Sequence, residues 1–68
     1  MNVILKIYLT GGATASVIFE NTTIVNVNAL IVGKLNIKNT PFIEIKDSSK
    51  GIIVVSRASF IGYSIDTA

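Results

Sequence analysis

The feature that most constrains this chain is the phase of its apolar residues between positions 42 and 63, where apolar side chains recur at every second position and turn signals interrupt them at short intervals. A period of two belongs to strands, because successive Cβ atoms point to opposite faces of a sheet. Asp47-Ser48-Ser49-Lys50-Gly51 is a polar turn, and pairing across it sets Ile45 beside Ile53 and Ile43 beside Val55. A three-residue turn at Asn39-Thr40-Pro41 puts Lys38 opposite Phe42, Asn36 opposite Glu44 and Lys34 opposite Lys46, with Leu35, Ile37, Ile43 and Ile45 on the other face. A last turn at Arg57-Ala58-Ser59 sets Val55 beside Ile61 and Ile53 beside Tyr63. All these pairings agree on which face is inside.

The opposite face carries Phe42, Ile52, Val54 and Phe60 beside Glu44, Lys46 and Ser56, so it is neither an ordinary wet surface nor a continuous core. Sheets with two apolar faces are covered on both sides. The cover is either the N-terminal hairpin folding over as a barrel or a second subunit. Gly62, placed opposite Val54 by the same arithmetic, marks a bulge, a barrel corner or a close backbone approach.

The N-terminal half predicts a strand over Val3 to Leu9 with Val3, Leu5, Ile7 and Leu9 inward, a turn at Thr10-Gly11-Gly12, and a strand from Thr14 to Glu20 with Ala15, Val17 and Phe19 inward. Residues 23–38 fit two templates. With a period of two, Val25, Val27, Ala29 and Ile31 align; with helical spacing, Val27, Leu30, Ile31 and Leu35 form a stripe behind an Asn26 cap, which Lys34 breaks. The Val, Ile, Asn and Gly content favours strand, and a short helix near residues 27–33 is the alternative. The expected fold is therefore mainly β: one domain over 1–68, a small antiparallel barrel or sandwich of five to seven strands, with an α+β arrangement of ββαββ order as the other option.

A chain of 68 residues buries only about 60% of its unfolded surface, so its stability needs reinforcement. The absence of Cys rules out a disulfide, and the absence of both Cys and His excludes the usual structural zinc site. Half of the residues are hydrophobic and only 15% are charged, more apolar surface than one small core hides. The excess points to a homo-oligomeric interface formed by Phe42, Ile52, Val54 and Phe60. No run reaches the roughly 18 apolar residues of a spanning helix, so no membrane partner is expected. Met1 to Lys6 lacks the basic start and long apolar region of a signal peptide, which predicts a cytoplasmic address, of the cell itself or of an infected host.

Without His or Cys, catalysis would rest on Ser, Lys, Tyr or the carboxylates Glu20, Glu44, Asp47 and Asp66. None of these converge on the strand map, so no enzymatic role, metal or cofactor is expected. Gly11-Gly12 lacks any phosphate-loop context and reads as a hairpin turn, and Asn21-Thr22-Thr23 is a glycosylation acceptor only in a secreted chain. Arg57, the only arginine, sits with Ser56, Ser59 and Phe60, and Lys46 lies on the same sheet face. A guanidinium grips phosphate and an aromatic ring stacks a base, so these five residues are the candidate site for a small anionic ligand such as a nucleotide. Lys34, Lys38 and Lys46 form the alternative, a nucleic-acid-binding face.

Two resemblances add to this. Lys6-Ile7-Tyr8-Leu9-Thr10-Gly11-Gly12 and Ser59-Phe60-Ile61-Gly62-Tyr63-Ser64-Ile65 resemble the first and last strands of Sm-like RNA-binding barrels, which implies an RNA- or DNA-binding ring. The Asp-containing third-strand signature of those barrels is missing, so their RNA site does not carry over. Pro41-Phe42-Ile43-Glu44-Ile45 before a hairpin ending in Phe60-Ile61-Gly62-Tyr63 resembles very short β-rich accessory proteins of phages and prophages of Gram-positive bacteria. That likeness implies an oligomer that counters host defence, in some cases by sequestering nucleotide signals. The third reading is a structural or protein-binding oligomer.

Overall fold

A computed structural model of the chain describes residues 1–37, 39–47 and 51–68. Five strands form two antiparallel sheets and one α-helix packs with them. The strands are β1 (Val3–Leu9), β2 (Thr14–Phe19), β3 (Phe42–Asp47), β4 (Gly51–Ser56) and β5 (Phe60–Thr67), with α1 (Ile24–Leu35) between β2 and β3. The larger sheet has the order β2-β1-β5 and the smaller is the β3-β4 hairpin. No closed barrel forms among the described residues.

The N-terminal hairpin follows the alternation. Val3, Leu5 and Ile7 are wholly buried, and β2 pairs in register with Leu5 opposite Val17 and Ile7 opposite Ala15. The turn at Thr10–Gly12 needs glycine, because Gly11 and Gly12 have φ of 80° and 79°, a left-handed region costly to side chains with a Cβ. On the outer face of this sheet Tyr8 Oη and Ser64 Oγ are hydrogen-bonded at 3.1 Å and Lys6 Nζ stands 5.8 Å from the Tyr8 ring centre, a wet surface.

Residues 23–38, whose composition favours strand, contain the helix instead, and it is longer than 27–33. Its cap is Thr23, not Asn26: Thr23 Oγ1 accepts from the Asn26 N–H at 3.2 Å. Val27 and Ile31, one turn apart, are buried, and Leu35 packs half-buried behind them. Branched side chains cost a few tenths of a kcal/mol each in a helix. Full burial of each contributes about 1.5–3 kcal/mol, so tertiary packing outweighs propensity. The hairpin drawn through Asn39-Thr40-Pro41 is corrected with it. Lys34, Leu35 and Asn36 lie in or just beyond the helix and pair with no strand, Ile37 is exposed rather than inward, and Lys38 lies outside the described residues.

The β3-β4 hairpin forms in the predicted register, with Ile43 opposite Val55 and Ile45 opposite Ile53. The last hairpin does not form. A 3-10 turn at Arg57–Ser59 turns the chain away from β4, and β5 pairs with β1 instead, Ile7 opposite Tyr63 and Leu5 opposite Ile65. Alternation fixes a strand's face and not its neighbour, which is why Tyr63 still packs against the core as expected. Gly62 lies opposite Tyr8, not Val54, beside a bulge that leaves Ile61 without a register partner. The helix lies against β1, β3 and β5, and Tyr63 Oη donates to Asn28 Oδ1 at 3.0 Å, tying β5 to α1.

Candidate functional site

Asp47 continues the inward phase of Ile43 and Ile45 and is buried, with 2% exposure. Its Oδ1 accepts from the Ile18 N–H at 2.6 Å. Because β2 is the edge strand of its sheet, this bond joins the edge of one sheet to the end of the other. A backbone N–H taken from water without a partner costs about 1–3 kcal/mol, and a charged acceptor is the strongest remedy. Asp47 is therefore the polar clasp between the two sheets. In the sequence Asp47 opens a polar turn, yet its odd-numbered phase after Ile43 and Ile45 points it inward.

Arg57 occupies the C-terminal end of α1. Its Nη1 donates to the Leu35 carbonyl at 3.0 Å, Nη2 to those of Lys34 at 3.2 Å and of Ile37, and Nε to that of Thr40 at 3.1 Å. The last carbonyls of a helix have no intrahelical partner and carry the negative end of its dipole, so a guanidinium there supplies both hydrogen bonds and compensating charge. The arginine offered as an anion grip is committed to the chain's own carbonyls.

Of the other residues of the predicted ligand site, Ser56 and Ser59 stay beside Arg57, whereas Lys46 and the ring of Phe60 lie apart from it. Ser56 ends β4 opposite Phe42, and Arg57, Ser56 and Phe42 line a shallow cavity of about 520 Å³ with Asn39, Thr40, Pro41 and Ala58. Lys46 stands opposite Ile52, four residues along β3 from Phe42 and so about 13 Å away. Ser59 lies half-buried in the 3-10 turn. Phe60 is corrected from the outer face to the core side: it is half-buried there, its ring 6.4 Å from that of Tyr63. The alternative nucleic-acid set is also divided, since Lys34 is on α1, Lys46 on β3 and Lys38 outside the described residues. Lys34 and Lys46 do share a groove, with Phe19, Leu30, Ile45 and Asp47.

The outer face of the β3-β4 hairpin does carry the apolar patch. Phe42, Ile52 and Val54 are 54%, 65% and 54% exposed, with Glu44 and Lys46 also exposed between them. The N-terminal hairpin, seated on the other side of the core, does not cover it. Val25 and Val32 are exposed on the helix, which is apolar nearly all the way round. No group of three or more metal-ligating side chains occurs among the described residues, and no helix there is long and apolar enough to cross a membrane.

No protein-family model, no curated protein and no solved structure matches this chain.

Proposed function

We propose that this chain is a non-catalytic assembly and binding module that acts as a homodimer, closed through the outer face of the β3-β4 hairpin. The observation that carries the reading is the exposure of Phe42, Ile52 and Val54 on one face of a two-stranded sheet. A two-stranded sheet with one face uncovered is marginal, and an exposed apolar patch interleaved with charges on a small protein is a typical contact site. A standard interface takes about 800 Å² per partner. The chain exposes 4315 Å² in all, so such a contact would cover about a fifth of it.

The charges on this face favour a second copy as the partner. Glu44 stands opposite Val54 and Lys46 opposite Ile52, two residues apart on the same strand. A two-fold axis between stacked hairpins, perpendicular to the strands at the level of Ile45 and Ile53, lays each strand antiparallel over its own copy. Glu44 then meets the partner's Lys46, and Val54 meets the partner's Ile52, with every contact made twice. The face is complementary to itself in charge and shape class alike.

Sedimentation equilibrium at micromolar concentrations tests this. Glu44→Lys sets like charges across the axis and is expected to weaken the dimer tenfold or more, and Glu44→Lys with Lys46→Glu is expected to restore it. A monomer at all concentrations, or a dimer indifferent to Glu44→Lys, would sink the reading. A cytoplasmic site of action, and the phage-type role of holding an anionic signal, belong to the same proposal as its biological setting; what supports the second is the groove described next.

A further inference from the structure

We infer that the groove between α1, the end of β2 and the end of β3 is a binding site for a small amphipathic anion with a carboxylate or phosphate head, its apolar body against Phe19, Leu30 and Ile45 and its charged head at Lys34. The groove measures about 390 Å³, within the range of small-molecule sites. Three elements contribute to its wall, so it exists only in the folded chain. Its charged residues among those described are Lys34, Lys46 and Asp47, two cations to one anion, which favours a negative head.

These three differ in what they can offer. Asp47 is buried and its Oδ1 is bound to the Ile18 N–H, so it faces the fold more than the groove. Lys46 belongs to the outward phase of β3, where the proposed dimer uses it, and contributes from the rim. Lys34 is half-buried, and among the described residues no hydrogen bond or ion pair engages its Nζ. A lysine in the last turn of a helix ordinarily compensates the terminal carbonyls, but Arg57 already donates to those of Lys34 and Leu35. Lys34 thus lines a largely apolar groove while the usual task of a last-turn lysine is taken by another residue. An ammonium is a compact point charge that accepts a carboxylate or a phosphate monoester alike, without the planar fork that would choose between them. The site does not depend on dimerisation, because Phe19, Leu30 and Lys34 lie off the hairpin face.

The test is an amide NMR titration of the whole chain with octanoate, phenyl phosphate and, as the neutral control, octanol. Octanoate or phenyl phosphate is expected to shift the amides of Phe19, Leu30, Lys34 and Ile45, and octanol to bind at least tenfold more weakly. Lys34→Gln is expected to cost about tenfold in affinity for the bound anion, the scale of one charge-assisted hydrogen bond, with an unchanged spectrum elsewhere. Lys34→Arg, which keeps the charge, is expected to retain binding. Octanol binding as well as octanoate, an affinity unmoved by Lys34→Gln, shifts confined to the hairpin face, or no shift with either anion would each overturn the assignment.

Discussion

Replacing Arg57 by alanine separates the two roles that this residue can have. Its side chain is half-buried, and its bonds to the carbonyls of Lys34 and Leu35 are partly buried while those to Thr40 and Ile37 are exposed. The exposed bonds exchange for water at little net cost. The two partly buried, charge-assisted bonds contribute about 1–1.5 kcal/mol each and the helix dipole about 0.5 kcal/mol, giving about 3 kcal/mol lost in Arg57→Ala. In a domain of this size each kcal/mol moves the midpoint by about 4–8 °C, so Tm is expected to fall by about 15 °C. Lys at this position keeps the charge and one donor group and is expected to recover about half. Circular dichroism melts at one fixed protein concentration measure this, the concentration being held because dimerisation couples to stability. An Arg57→Ala protein that melts within a few degrees of the parent would refute the capping role. If it also lost affinity for an anion, Arg57 would be the ligand residue that the sequence suggests.

Asp47→Ala leaves the Ile18 N–H without its acceptor and is expected to cost about 2–3 kcal/mol in urea unfolding, and Asp47→Asn less, since an amide oxygen can still accept; equal stability of Asp47→Ala and the parent would remove the clasp. On α1, Ile31→Ala is expected to cost about 2–4 kcal/mol, while Val25→Ala, at a site 75% exposed, changes the stability of the monomeric form by under about 0.5 kcal/mol. The reverse order in a urea series on a dilute sample would mean that the helix is rotated from the position described.

What could be read from the sequence was whatever depends on strand phase alone. The register of β3 with β4, the inward faces of β1 and β2, and the exposed row of Phe42, Ile52 and Val54 follow from a period of two together with short turns. The partner of β5 did not follow, because Tyr63 and Ile65 point inward whether they pair with β4 or with β1. Phe60 was misplaced for a different reason: the bulge that leaves Ile61 without a partner shifts the phase of β5 by one residue, so Phe60 and Tyr63, three apart, share the core side while Ile61 is exposed. The helix was hidden by its composition. Its Val and Ile residues favour strand locally, and only burial of Val27 and Ile31 against the sheet, with Thr23 and Arg57 closing the two ends, makes the helix the better state. Arg57 illustrates the limit for sites. A lone arginine in a turn looks the same in sequence whether it awaits a ligand or caps a helix 22 residues away, as it does at Leu35.

The account rests most heavily on the hairpin face as a contact between two copies, and sedimentation velocity of the chain and its Val54→Lys variant tests that claim most directly. The parent is expected to sediment as a species of 14.6 kDa, twice the 7.3 kDa chain, and the variant, with a charge in the middle of the patch, as a folded 7.3 kDa monomer with an unchanged circular dichroism spectrum. A parent that stays at 7.3 kDa at the highest concentration reached, or a variant that remains dimeric, would contradict it.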